Sequence, residues 1–136
     1  MDRDKLRQDL IKHEGCVLKP YQDSVGVWTV GVGHNLESNA ITFDAAMVIL
    51  EHDIDAVIVD LNRVFPIWRN QSKLRQEVLV NMCFNLGIGR LGGFVRMWDA
   101  IAIGDYKEAA RQMLDSKWAS QVGYRAKDLA NAMERG

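Results

Sequence analysis

Glu14 is the first residue of the chain whose type and position could do chemistry. The apolar spacing from Asp4 to Ile11 predicts a helix that Gly15 ends, which places Glu14 in the last turn. A carboxylate there faces the negative end of the helix dipole, an unfavourable location that function can impose. Glu14 is therefore a candidate general acid, and a solvated Glu in a frayed turn is the alternative.

A second carboxylate, Asp23, and a hydroxyl, Thr29, follow in a segment rich in strand-forming residues. The β-branched and aromatic residues of 17–32, interrupted by turn signals, predict a β-hairpin or a three-stranded meander. Asp23 is typical of an Asx turn, in which it would bond its own backbone. A glycosidase also needs a second carboxylate opposite its acid, as a nucleophile or as a base for water. The choice between those two roles depends on the carboxyl separation, which the sequence leaves open.

Glycines lie close to Thr29 in the run VGVGH. Strict strand alternation would place Thr29, Gly31 and Gly33 on one face, which then carries little bulk. Glycines within a strand cost stability, so their position beside a hydroxyl suggests close approach by a ligand or another backbone. A bulge or a bent edge strand is the alternative. The run lacks the third glycine of a dinucleotide-binding fingerprint.

The order of these motifs resembles the T4-type phage lysozymes of glycoside hydrolase family 24. At the N-terminal end, the resemblance rests on Glu14, Asp23, Thr29 and the run GVGH. VNMCFNLG at 80–87, followed by GGF at 92–94, is similar to the family's central buried helix and the turn after it. SKWASQ and YRAK near the end are similar to its closing helices. The resemblance covers nearly the whole chain.

The resemblance implies a catalytic role for three residues. Glu14 would protonate the glycosidic oxygen, while Asp23 and Thr29 would position the water that attacks the anomeric carbon with inversion. This agrees with the residues themselves, because a water held by a carboxylate and a hydroxyl needs both groups opposite the acid.

Other residues are expected to support the site. The resemblance implies that Arg125 pairs with the catalytic Glu, and that Asn81 and Asn85 line the cleft. A hydrogen-bonded core amide is an equally good interpretation of Asn81. Gly31 is a candidate for close approach of a ligand, and His34 is interpreted as a structural hydrogen-bonding histidine at the end of the hairpin.

The predicted fold is α+β and mostly α, of the lysozyme type, with an active-site cleft between two lobes of one domain. The predicted parts are a small β lobe at 15–41, a connecting helix at 42–65 and a helical lobe formed by 1–14 and 66–136. The short stretch from Asn35 to Ile41, where better-known relatives insert a helix, predicts a reduced small lobe.

Helix ends are predicted from capping residues. Thr42 should begin the long helix that runs towards Pro66, and Ser72 should begin a helix that Gly87 ends. Further helices are predicted near 94–103, after a capping box formed by Asp105 and Glu108, and from Tyr124.

Composition restricts the cofactors and the location. The three histidines lack metal-ligand spacing, so no metal or cofactor is expected. Cys16 and Cys83 should be reduced and mostly buried thiols. The first fifteen residues are too polar for a signal peptide, and no apolar run suits a membrane span. We therefore expect no membrane insertion and accumulation in the host bacterial cytoplasm before lysis.

The distribution of charge along the chain limits its possible binding partners. Residues 63–136 carry twelve basic and seven acidic residues, which could steer the chain to anionic wall polymers or could simply be a solvated surface. Nucleic acid is a poor partner, because the net charge is −1 and no recognition motif is present. The resemblance implies bacterial peptidoglycan as the substrate, a monomeric enzyme and a separate holin for access to the wall.

Three functions are compatible with these observations. The leading one is an N-acetylmuramidase that cleaves the β-1,4 bond between N-acetylmuramic acid and N-acetylglucosamine. A lytic transglycosylase would keep the acid but would not need a water held by Asp23 and Thr29. A non-catalytic wall-binding module would need none of the three side chains.

Overall fold

The computed structural model describes all 136 residues, from Met1 to Gly136. It contains eight α-helices, a short 3-10 turn at Pro66–Asn70 and one three-stranded antiparallel sheet, which confirms the predicted α+β, mostly helical class. The helices are α1 (Arg3–Glu14), α2 (Phe43–Val64), α3 (Lys73–Leu86), α4 (Ile88–Gly92), α5 (Val95–Ala102), α6 (Tyr106–Leu114), α7 (Lys117–Val122) and α8 (Tyr124–Arg135). The strands are β1 (Val17–Gln22), β2 (Trp28–Gly31) and β3 (His34–Asn35).

The chain divides into two compact units, Met1–Val48 and Ile49–Gly136. The first unit holds α1, the sheet and the beginning of α2, and the second holds the remaining helices. The assignment of residues 1–14 to a helical lobe and the cleft between lobes stay predictions.

Helix α1 ends where the sequence predicts. The Asp2 side chain accepts a hydrogen bond from Lys5 N at 3.0 Å and caps the N-terminus. Gly15 adopts a φ of 76° and donates its N–H to Ile11 O at 2.8 Å, which terminates the helix. Glu14 is therefore the last helical residue.

The sheet corrects the prediction for the glycine run. Thr29 pairs with Tyr21 of β1 and with Asn35 of β3, so it lies on the central strand. Strand β2 stops at Gly31 (φ 68°), and Val32 and Gly33 (φ 62°) connect it to β3. A single strand with Thr29, Gly31 and Gly33 on one face is wrong, because both glycines leave the extended region. No helix lies between β3 and α2, as predicted.

Capping residues begin three of the predicted helices. Thr42 Oγ1 accepts from Ala45 N at 3.1 Å, and Ser72 Oγ accepts from Arg75 N at 3.2 Å. The side chain of Asp105 accepts from Glu108 N at 3.1 Å.

Some local details differ from the predictions. The predicted capping box lacks the hydrogen bond from the Asp105 backbone N–H to the Glu108 side chain. The Glu108 carboxylate accepts from Arg111 and Gln112 instead. Helix α4 was not predicted, since five residues are too few to show helical periodicity, whereas α7 lies at the closing helix that the resemblance of SKWASQ implies.

Helix α3 is the centre of the core of unit Ile49–Gly136, as the resemblance implies. It packs on α4 and α8, and its Val78, Leu79 and Met82 side chains are at most 1% exposed. Each fully buried Leu or Met contributes about 1.5–3 kcal/mol. Phe65 and Trp98 stack in parallel, with 4.1 Å between ring centroids, and Trp98 Nε1 donates to Leu91 O at 3.1 Å. The buried residues of α3 are Val78, Leu79, Met82, Cys83 and Leu86.

The two thiols differ in environment. Both are free, as predicted, but Cys16 is exposed and only Cys83 is buried. The expectation of a buried Cys16 is wrong, because β1, which follows it directly, is exposed at five of its six positions. Burial, with a smaller contribution from Asp60, raises the pKa of the Cys83 thiol.

No helix of the chain combines the length and the apolarity that a membrane crossing requires.

Candidate active site

The Glu14 carboxylate rests against the turn between β2 and β3. A Cβ atom added to Gly33 would lie 2.8 Å from Glu14 Oε2 and 3.1 Å from its Cδ. Only a residue without a side chain leaves room for the carboxylate in this position. Glu14 is exposed to solvent, and no residue of Met1–Val48 forms a hydrogen bond or an ion pair with its carboxylate. Its carboxyl group thus lies beside the turn backbone at Gly33 and is accessible to a ligand.

Asp23 forms the Asx turn that its sequence context suggests. Its Oδ1 accepts from Val25 N and from Val27 N, both at 2.9 Å. The backbone of the turn is closed by bonds from Asp23 N to Val27 O and from Gly26 N to Asp23 O. No hydrogen bond within the chain uses Oδ2. One carboxylate oxygen therefore fixes the side chain and the other can accept from a ligand or water.

Thr29 is the only buried polar residue of the chain, with 4% of its surface exposed. Its hydroxyl donates to Val27 O at 2.9 Å, which satisfies the donor and orients the side chain. A hydroxyl that already donates keeps its oxygen lone pairs as acceptors. Thr29 can therefore receive a hydrogen bond but has no proton left to give.

Gly31, Gly33 and His34 have different roles in the hairpin. A Cβ atom at Gly31 would meet nothing within 4 Å, so no contact explains this glycine beyond its positive φ. His34 Nε2 forms a hydrogen bond with Asn39 O at 3.0 Å, as a structural histidine would. Gly33 was not among the predicted site residues. Its place in GVGH was the available signal, but strand alternation does not reveal that it touches Glu14.

In unit Ile49–Gly136, Arg125 and Asn81 form a forked contact. Arg125 donates to Asn81 Oδ1 from Nε at 3.0 Å and from Nη2 at 2.7 Å. Both side chains are exposed, so the interpretation of Asn81 as a core amide is wrong. They border an apolar groove of about 550 Å³ that includes Ile54, Val80 and Phe84. The pairing of Arg125 with Glu14 stays a prediction.

Asn85 orients an indole ring. Its Oδ1 accepts from Trp118 Nε1 at 2.7 Å, although the two residues are 33 positions apart. Asn85 is exposed and Trp118 is buried, so the amide anchors the edge of the ring at the surface. Sequence reasoning identified Asn85 but gave no signal for its partner.

The mostly helical fold with one small sheet is consistent with the lysozyme class, and comparison with known proteins identifies a glycoside hydrolase. Residues 11–135 match the phage lysozyme family. The chain therefore belongs to the phage lysozyme family, whose members degrade peptidoglycan. No group of three or more His, Cys, Asp or Glu side chains is placed to hold a metal ion.

Individual relatives have low sequence identity to this chain but align with most of its length. The chain is 28% identical to the pre-baseplate central spike protein Gp5 of Enterobacteria phage T4 over 89% of its own length, but spans only 26% of that protein. It is 24% identical to probable T4-type lysozyme 1 of Dictyostelium discoideum, covering 95% of this chain and 94% of the relative. It is 27% identical to the SAR-endolysin of Escherichia phage Mu, with 97% and 76% covered.

Proposed function

We propose that this chain is an N-acetylmuramidase that hydrolyses the β-1,4 bond between N-acetylmuramic acid and N-acetylglucosamine in peptidoglycan, with inversion at the anomeric carbon. The observation that carries the proposal is the shared anchor of Asp23 and Thr29. Both side chains are bonded to the backbone of Val27, and each keeps an unused acceptor. Two such acceptors are what a water nucleophile requires.

Asp23 and Thr29 together orient the water. A water that donates one hydrogen to Asp23 Oδ2 and the other to Thr29 Oγ1 has its lone pairs directed away from both groups. Those lone pairs attack the anomeric carbon, and Asp23 accepts the proton that the water loses. Because the Thr29 donor is already occupied by Val27 O, the hydroxyl cannot turn round and donate to the water.

Glu14 supplies the proton for the leaving group. Its carboxyl group lies against the Gly33 backbone and is open to solvent, so a glycosidic oxygen can reach it. Protonation by a positioned acid contributes about 10²–10⁴-fold to such a reaction. Attack by water on the face opposite this acid produces inversion in one step, without a covalent intermediate.

Three residues of unit Ile49–Gly136, Arg125, Asn81 and Asn85, are proposed to support the reaction without taking part in proton transfer. Arg125 is held by Asn81, and pairing of its guanidinium with the Glu14 carboxylate would place a cation beside the proposed acid. Asn85 acts indirectly, because it fixes the edge of the buried Trp118 ring and so holds α7 against α3.

The test is digestion of purified peptidoglycan by the wild-type chain, Glu14→Gln and Asp23→Asn, with the new ends identified by mass spectrometry. We expect reducing N-acetylmuramic acid ends from the wild type and at least about a hundredfold slower release from each variant. Proton NMR during the reaction should show the α-anomer first. Anhydro ends would indicate a lytic transglycosylase, and retained wall binding without digestion would indicate a binding module.

We further propose that the enzyme acts as a monomeric endolysin, accumulates in the host cytoplasm and reaches the wall through a separate holin. Expression in host cells with and without a holin tests this, together with the sedimentation coefficient of the purified chain. Lysis without the holin, or a dimer in solution, would contradict it. The control is Glu14→Gln, which should not lyse cells in either case.

A further inference from the structure

Asn35 lies beside Thr29 on the same face of the sheet. Thr29, on the central strand, pairs with Tyr21 of β1 on one side and with Asn35 of β3 on the other. Directly opposed residues of antiparallel strands direct their side chains to the same face, with Cβ atoms about 4.5–5.5 Å apart. The Asn35 side chain is therefore a direct neighbour of the hydroxyl that we propose holds the water.

Two backbone N–H groups fix the orientation of the Asn35 amide. Its Oδ1 accepts from Glu37 N at 2.9 Å and from Ser38 N at 3.0 Å. Because both partners are donors, the amide oxygen must face them and the NH2 group points away from them. An amide oxygen has two lone pairs, so these two bonds use its whole acceptor capacity. Nδ2 is left as a pure donor that forms no hydrogen bond within the chain.

The other free groups around the proposed water differ from this amide. Thr29 Oγ1, which donates to Val27 O, offers only lone pairs, and so does Asp23 Oδ2 in an ionised carboxylate. The hydroxyl of Tyr21 can donate or accept, whereas Asn35 Nδ2 can only donate. Asn35 is half-buried, so a ligand can reach it from solvent. It therefore adds a committed donor to a face on which the water-holding groups are acceptors.

A pure donor selects a ligand group that can only accept. Sugar hydroxyls both donate and accept, so any of the neighbouring groups can satisfy them. The carbonyl oxygen of an acetamido group accepts only, and both sugars of the repeating unit of peptidoglycan carry one. This carbonyl is the part of the glycan strand that matches Asn35 Nδ2.

We infer that Asn35 is a specificity-determining residue whose Nδ2 donates to the acetamido carbonyl of a sugar bound beside the water. The inference rests on the proposed function, because it takes peptidoglycan as the substrate and Thr29 as part of the water site. Such a bond distinguishes N-acetylated glycan from glycan whose amino groups are free. Deacetylation replaces the acceptor with an ammonium group, which can only donate, so the amide would face it donor to donor.

Asn35→Asp tests the donor by itself. The carboxylate can still accept from Glu37 N and Ser38 N, so the turn is retained, but the donor becomes an acceptor. Initial rates are measured on soluble peptidoglycan strands and on the same strands after N-deacetylation. The ratio of kcat/KM for acetylated over deacetylated strands should fall at least about fivefold, mainly through a higher KM for the acetylated strands.

Asn39→Asp is the matched control. It adds the same charge to the same connection between β3 and α2, from an exposed side chain that forms no hydrogen bond, and should keep the wild-type ratio. A wild-type ratio in Asn35→Asp would overturn the inference. An equal fall in both variants would also overturn it, because the effect would then belong to the added charge.

A binding measurement separates this inference from the proposed function. In the Glu14→Gln chain, the side-chain amide NMR signals of Asn35 are assigned by their loss when Asn35→Asp is added. They should shift on titration with a tetrasaccharide of alternating N-acetylglucosamine and N-acetylmuramic acid, and should stay in place with its deacetylated form. Signals that do not move with the acetylated tetrasaccharide would overturn the inference. A shift with the acetylated form alone supports it, and a failure of wall digestion would then count only against the muramidase.

Discussion

Asp23 and Thr29 are both hydrogen-bonded to the backbone of Val27. The Asp23 carboxylate accepts from the N–H of Val27, and the Thr29 hydroxyl donates to the carbonyl of Val27, each at 2.9 Å. One residue therefore sets the positions of the two groups that we propose hold the water. Because β2 begins directly after Val27, the sheet fixes this anchor. The arrangement allows turn stability and chemistry to be changed separately.

Asp23→Asn should remove the chemistry and keep the turn. The Asn oxygen can accept from Val25 N and Val27 N as Asp23 Oδ1 does, whereas the amide cannot take a proton from water. We expect at least about a hundredfold loss of wall digestion with the melting temperature nearly unchanged. Asp23→Ala is the comparison, and should lose about 1 kcal/mol of stability as well. Nearly full activity in Asp23→Asn would contradict the role of Asp23 as a base.

Thr29→Ser should retain most activity, while Thr29→Val should lose it. Serine keeps a hydroxyl that donates to Val27 O and accepts from water, and valine keeps only the shape. Val27 O still receives the N–H of Asp23 in the valine variant, so the stability cost should stay near 1 kcal/mol. Initial rates on peptidoglycan and thermal melts measure both effects. Equal activity in the two variants would show that the hydroxyl is dispensable.

Gly33→Ala should lower activity by more than its loss of folding stability can explain. Its Cβ would lie 2.8 Å from Glu14 Oε2 and displace the carboxylate. Alanine at a positive φ also costs about 1 kcal/mol. Gly31→Ala is a matched control, since φ is 68° at Gly31 and 62° at Gly33, and a Cβ at Gly31 meets nothing within 4 Å. Similar melting temperatures with a loss of activity only in Gly33→Ala are expected, and equal activity losses would contradict the contact.

The stability that Glu108 contributes should disappear in acid. Hydrogen bonds from Arg111 and then Gln112 lower the pKa of Glu108 from its ordinary 4.5 to about 2. A lowered pKa in the folded state stabilises the protein above pH 4.5, and this contribution is lost as the pH falls through about 2. The melting temperature of Glu108→Gln should therefore differ from the wild type at neutral pH and converge with it near pH 2.

High salt should reduce the difference in melting temperature between Glu108→Gln and the wild type at neutral pH, because the Glu108–Arg111 pair is exposed. A difference between Glu108→Gln and the wild type that is independent of pH would contradict this account.

The predictable parts of the fold are those that depend on residues close together in the chain. The caps at Thr42, Ser72 and Asp105 could be identified because a side-chain oxygen reaches an N–H only three residues away. The same holds for the end of α1 at Gly15. Helix α4 was missed because its five residues show no period and it forms against α3, whereas α7 was expected only through the resemblance of SKWASQ to a closing helix.

The candidate site shows the same limit. Glu14, Asp23 and Thr29 could be named from their types and order, and the Asx turn of Asp23 from its neighbours. The shared anchor at Val27 was not predicted, since the alternation of a strand places side chains on faces and does not specify which backbone group they bond. The pairing of Trp118 with Asn85 was equally inaccessible, because it joins residues of α7 and α3.

The sequence by itself determined the class of fold, the ends of the main helices and the order of the three proposed catalytic residues, because local hydrogen bonds and periodicity carry that information. Tertiary structure alone decided that Glu14 lies against Gly33, that Arg125 is held by Asn81 and that Asn85 holds the ring of Trp118. These contacts join residues from 19 positions apart, for Glu14 and Gly33, to 44 positions apart, for Asn81 and Arg125. At such separations the packing of whole elements, rather than any short pattern, sets which side chains meet.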